Sequence, residues 1–221
     1  MWQLHQFPLC PFARKIRFQC AEKGIQVELV LELPWEKRDA FMELNPAGQT
    51  PVLRDGATVL ADSAAIAEYL EETVVTTPLL GSGAGERAET RRVIAWFDGK
   101  FYTEVVVPLL SERMFKRVFQ RAAPDGATLR AAAKAAEGHV DYLEFILDHQ
   151  RWLSGPAFGL ADIAAAAQLS VADYLTGIDW DGHDAARQWY SAIKSRPTFR
   201  PILAERMEGL RPPLHYDKLD W

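Results

Sequence analysis

Cysteine is scarce in this chain: Cys10 and Cys20 are the only two among 221 residues. Two thiols are too few for a disulfide framework, and that usage fits a reducing cytosol. Excess positive charge is also missing. The formal net charge is −5 and the isoelectric point is about 5.6. Phosphate-rich partners need a basic footprint, so neither nucleic acid nor an anionic membrane surface is expected as a general partner. No stretch approaches the ~18 uninterrupted apolar residues of a membrane span. The most apolar helical stretch, 163–175, is broken by Gln168, Ser170 and Asp173. Nothing at the start resembles the apolar core of a signal peptide. The expectation is a soluble, cytoplasmic protein without membrane insertion, and no metal-binding residue is assigned.

What is present divides into two patterns. Residues 2–7 and 27–33 read as strands around a helix over 11–23, in which Phe12, Ile16 and Cys20 recur four apart. Gly24 follows where a C-terminal cap belongs. A short helix is expected within 37–43. Asp55-Gly56 then joins two short apolar runs as a hairpin signal, and Ser63 opens a further helix. A mixed four-stranded sheet with helices on both faces satisfies this order. After Thr77-Pro78 the pattern turns helical, with spans expected at 87–119 (bent or broken near Pro108), 125–150, 159–175, 183–195 and 198–208. The fold class is therefore α/β plus all-α. Its parts are a domain over 1–78, a glycine-rich linker over 79–86, a helical domain over 87–208 and an extended tail over 209–221.

Three clusters carry candidate chemistry. Cys10 precedes Pro11 at a strand-to-helix turn, where free N–H groups and the helix dipole favour a thiolate, with Arg14, Lys15 and Arg17 adding positive charge; the same residue equally suits a small apolar closure of the turn. The string Asn45-Pro46-Ala-Gly48-Gln-Thr50-Pro51 precedes the hairpin. A proline opening a strand forfeits a ladder donor, and a cis Thr50–Pro51 bond would turn backbone polar groups into a cleft. Asp62-Ser63 could offer a hydroxyl and a helix start to a carboxylate, or simply cap the helix.

These residues resemble those of the glutathione transferase superfamily. The match takes in Cys10-Pro11-Phe12, the string from Asn45 to Leu53, Asp62-Ser63-Ala-Ala-Ile66 and Gly159-Leu-Ala-Asp162-Ile163. The resemblance implies a thioredoxin-like N-terminal domain, an all-helical C-terminal domain and a homodimer. It also implies a glutathione site at Thr50, Pro51, Asp62, Ser63 and Lys37, with Cys10 as nucleophile or thiolate-stabilising group. Ala13 stands where a thioredoxin-type pair keeps its second cysteine, which excludes dithiol chemistry. Gly159 replaces the usual Ser or Thr cap of a core helix, so that cap is expected to be weaker.

Other residues point away from enzymology. The ending, 212–221, carries Leu214, Tyr216, Leu219 and Trp221 as apolar anchors among Asp217, Lys218 and Asp220, either for a partner's groove or for folding back over the helical domain. The run 111–121 sets Arg113, Lys116 and Arg117 beside apolar residues, and Trp35 sits in an irregular segment. Stretches 1–12 and 207–221 are further similar to a branch of the superfamily from alphaproteobacteria that binds polymers of the tubulin-like division protein FtsZ. This likeness implies a role at the division site in filament shape and constriction, with no cofactor required and contacts at Tyr216, Leu219, Asp220, Trp221, Arg113, Lys116, Arg117 and Trp35. A glutathione-dependent transferase or thiol reductase using Cys10 is the alternative.

Overall fold

The computed structural model describes residues 2–218, and the chain divides into two compact units meeting between Leu79 and Leu80. In the first unit, β1 (Trp2–Gln6) leads into α1 (Pro11–Glu22), then β2 (Val27–Leu31), a 3₁₀ turn (Pro34–Glu36) and α2 (Asp39–Leu44). β3 (Val52–Asp55), β4 (Thr58–Ala61) and α3 (Ser63–Thr73) complete it. The sheet order is β2-β1-β3-β4, with β1 parallel to β2 and antiparallel to β3, and β3 antiparallel to β4. Leu29, Leu4, Leu53 and Leu60 align in register across all four strands, and Leu4 and Leu53 at the centre are fully buried.

Local signals account for most of these boundaries. Pro11 occupies the first turn of α1, where its missing N–H leaves nothing unpaired. Gly24 takes φ +70° just beyond the helix, a left-handed position that suits glycine. At the hairpin, Gly56 takes φ +58° directly after Asp55. Buried Lys23 matches its three ammonium donors to three acceptors: the Glu71 carboxylate at 2.9 Å, Val74 O at 2.9 Å and Thr77 O at 2.8 Å. That one side chain ties the end of α1 to α3 and to the segment that follows it.

The second unit is helical. A continuous helical path begins with α4 (Ala84–Ala95) and runs on through Trp96–Val106, Val107–Leu109 and Leu110–Phe119. The first and third of these extensions are wound as π-helix, so the chain does not break at Pro108. Proline is costly where it removes an i→i−4 bond; here that ladder is already interrupted on both sides. The expected linker is short, because α4 starts at Ala84 and Leu79 and Leu80 are buried. α5 (Gly126–Leu147), α6 (Leu160–Tyr174), α7 (Asp184–Ser195) and α8 (Arg200–Ala204) follow. The last is shorter than the sequence suggests and ends where Glu205 turns extended.

Every residue of α6 is buried, so its polar side chains need internal partners. Asp162 accepts from Leu153 N at 3.0 Å, Gly159 N at 3.0 Å and Trp189 Nε1 at 2.8 Å. As expected, Gly159 gives the helix no side-chain cap; its own N–H is satisfied by the acid three residues on.

The 209–217 segment is not a free extended tail. Tyr174 Oη donates to Leu210 O at 2.6 Å and accepts from Met207 N at 2.9 Å. His215 Nε2 lies 2.9 Å from Asp173 Oδ1, and Lys194 Nζ donates to His215 O at 3.2 Å. Tyr216 is fully buried edge-to-face on Tyr174, with ring centroids 5.1 Å apart. Arg206 pairs with Asp217.

Burial outweighs its three donors and pushes the Asp162 carboxyl up to about 6. The folded state then takes up this proton at a higher pH than the unfolded chain. Asp162 therefore stabilises most below the ordinary carboxylate range, and that contribution is lost as pH rises through about 6. Urea denaturation of wild type and Asp162→Asn at acidic and neutral pH will show the difference between them shifting against the wild type by up to about 3 kcal/mol as pH rises.

Candidate functional site

In the first unit, Cys10 is the N-cap residue of α1 and makes no side-chain cap bond. Its backbone is fixed by Cys10 N donating to Phe7 O at 2.9 Å, and Arg14 Nε donates to Pro8 O at 2.8 Å beneath the same turn. The thiol donates to Thr50 O at 3.3 Å. Burial pushes the Cys10 thiol above its ordinary value, against smaller opposing effects from Thr50, the α1 backbone and Arg14. Of the two readings of Cys10, the inert one is favoured: the helix start is there, but burial works against the thiolate. Cys20, buried on α1, is pushed up to about 12 for the same reason.

Beside this turn lies a cavity of about 250 Å³ lined by Phe12, Asn45, Gln49, Thr50, Pro51, Asp62, Ser63 and two alanines. Four of the residues singled out from the sequence thus converge, Thr50 and Pro51 just before β3 and Asp62 and Ser63 at the start of α3. The Thr50–Pro51 peptide is cis. The Asn45 side chain donates to Gln49 O at 2.8 Å and accepts from Ala47 N at 3.1 Å, closing the loop that carries Gln49 and Thr50 to the cavity. Gly48 in that loop takes φ +64°, and a Cβ there would sit 3.0 Å from Met42 Sδ. Asp62 holds φ +75° and caps α3, its Oδ1 accepting from Ala64 N at 2.7 Å and Ala65 N at 3.2 Å. Ser63 is buried at the mouth of that helix.

Lys37 is not brought to this cavity. It is exposed, at φ +46°, between the 3₁₀ turn and α2. The turn is held by buried Glu32, which takes Arg38 Nε at 3.0 Å and Nη2 at 2.5 Å. Trp35 stands half-buried edge-on to Phe7, with centroids 5.0 Å apart.

The basic run in the second unit is less uniform than its sequence. Lys116 pairs with Glu112 at 2.7 Å, and the other Glu112 oxygen accepts from Asp125 N at 2.7 Å. Arg117 is exposed, while Arg113 is half-buried and held below the ordinary guanidinium range by burial and by Arg117. Tyr216, expected as a surface anchor, is corrected to a core residue, because Tyr174 and the Asp173–His215 pair hold its segment down. Leu219, Asp220 and Trp221 lie outside the described residues.

Sequence reasoning passed over Asn45 and Gln49 as lining residues, although an Asn two residues before a small loop residue is itself an Asx-turn signal. It also passed over Glu112 and Asp173, whose signal was a carboxylate at helical spacing from a base or on an otherwise apolar helix.

Comparison with known proteins gives a consistent picture. Residues 9–73 match the family model for the glutathione S-transferase N-terminal domain. The chain is 45% identical over 222 positions to FtsZ-localized protein A of Caulobacter vibrioides, covering 99% of this chain and 97% of that protein. Among solved structures, a glutathione S-transferase from Rhodospirillum rubrum superposes with a TM-score of 0.96 at 43% identity, covering 100% of both chains. FzlA from C. crescentus superposes with a TM-score of 0.96 at 45% identity, covering 100% of this chain and 99% of that one.

The protonated state of Cys10 has a direct readout. Iodoacetamide labelling followed by mass spectrometry will show Cys10 reacting more slowly than free cysteine at neutral pH, with the rate rising as the pH is made alkaline. Labelling as fast as a free thiolate would overturn this assignment.

Proposed function

This chain belongs to the glutathione S-transferase superfamily, and from that premise we propose that it is a division protein that associates with FtsZ filaments in the cytoplasm. It acts there as a homodimer, influencing filament shape and constriction without essential catalysis. The observation that carries this reading is its end-to-end likeness to the Caulobacter protein. Cys10 supports it, since a desolvated thiol turned onto a backbone carbonyl is a poor nucleophile. A two-fold dimer presents each contact twice and gains avidity on a polymer of repeating sites. The contacts assigned are Leu219, Asp220 and Trp221 at the end of the chain, with Trp35, Arg113, Lys116 and Arg117.

The test is co-sedimentation with GTP-assembled FtsZ, comparing the full chain with one ending at Lys218. A stop at Arg211 would be uninformative, because it also removes buried Tyr216 and the His215–Asp173 pair. The full chain will pellet with filaments, and the shortened chain will lose most of that binding. Equal pelleting reassigns the contact to other residues, and no pelleting of either chain overturns the reading.

A second reading, that the chain binds glutathione, is supported by the cavity lined by Thr50, Pro51, Asp62 and Ser63. The helix start at Ser63 and the cap at Asp62 suit the charged γ-glutamyl end. Titration calorimetry with glutathione will give saturable heat that weakens at least about tenfold in Ser63→Ala, the scale of one lost hydrogen bond to a charged group. No heat with the wild-type chain would sink this reading while leaving the filament reading intact.

A further inference from the structure

A groove of about 830 Å³ opens on the helical unit between the 110–119 turns and the 206–217 segment. Its lining combines Arg117, Arg206 and Arg211 with Leu210, Leu214 and Pro212. Two acids, Glu208 and Asp217, also face it. Asp217 is engaged by Arg206, whereas Arg117 and Arg211 are exposed and have no carboxylate partner among the described residues. Neighbouring Arg113 has its charge disfavoured first by burial and then by Arg117, and Arg113 Nε is buried without a hydrogen-bond partner. In a chain of net charge −5 this group of arginines is a local reversal of sign. Beside the arginines, Leu214 is 86% exposed, more than any other large apolar side chain described.

Cations flanking an exposed aliphatic side chain on a concave, prolyl-lined wall select for a complementary chain of carboxylates alternating with apolar groups. We propose that this groove docks an acidic, leucine-bearing peptide segment of a partner protein, with carboxylates on Arg117 and Arg211 and an aliphatic side chain against Leu214. The inference deepens the filament reading and rests on it for the identity of the partner; the groove's chemistry stands on its own residues. The packing of 206–217 by Tyr174 and Asp173 keeps the groove wall in place before binding, so little ordering is required of this side.

The experiment is fluorescence anisotropy of the full chain with a labelled peptide, Asp-Leu-Asp-Leu-Asp-Asp, at low and at high salt. A second probe carries lysine in place of each aspartate. The acidic probe will bind and weaken with salt, and the lysine probe will not bind. The double variant Arg117→Glu, Arg211→Glu will lose at least about tenfold in affinity. Lys134→Glu, exposed on α5, will stay within about twofold of wild type. Both arginines are exposed, so their loss leaves the core intact. Equal binding by the double variant, or equal binding of the two probes, overturns the proposal. So does tighter binding by a chain ending at Lys218, which would assign the groove to the chain's own last residues. The probe contains no FtsZ sequence, so its failure and a failure of filament sedimentation are separate results.

Discussion

The helical unit depends on a carboxylate that water does not reach. A helix buried on every side can be kept only if its polar groups find partners inside the protein, and α6 is such a helix. Asp162 at its start receives three N–H groups, from Leu153, from Gly159 and from the Trp189 indole, and so joins the preceding loop to α7. The negative charge also sits at the positive end of the helix dipole. At the other end, Asp173 takes His215 and lies 3.8 Å from Lys194. One acid fixes the helix in its surroundings; the other fixes the C-terminal segment onto the helix.

The first unit shows how two effects at one residue are ranked. A helix start favours a negatively charged side chain by well under one pKa unit to about one, whereas burial can shift a group by several. Cys10 has both, and burial prevails. The geometry that places a cysteine at a helix start is common to a reactive thiol and to an inert one; what distinguishes them is how much water the turn admits. The nearby cavity is lined by residues that hold its walls together, Asn45 through the loop and Asp62 through the α3 cap. Its shape therefore persists whether or not chemistry is done there.

Features set by neighbouring residues were legible in the sequence. Pro11 and Gly24 mark the ends of α1, Asp55-Gly56 marks the hairpin, and Asp62-Ser63 marks the start of α3, each through a local backbone requirement. The convergence of Thr50, Pro51, Asp62 and Ser63 was legible because they flank one hairpin, so short connections bring them together. Features set by distant residues were not. The fate of Tyr216 is decided by Tyr174 and Asp173, some forty positions away. The helical path through Pro108 depends on π winding that no single-residue propensity announces. The basic run loses Lys116 to Glu112 because the two are four residues apart, a pairing visible in the sequence once the helix is assumed.

The pinning of Tyr216 and the Arg206–Asp217 pair have a geometric consequence. Tyr174 holds Met207, Leu210 and Tyr216 at once, so the three are released or retained together. A change at that single tyrosine would loosen the whole stretch from Met207 to Asp217 as one piece, rather than fray it residue by residue.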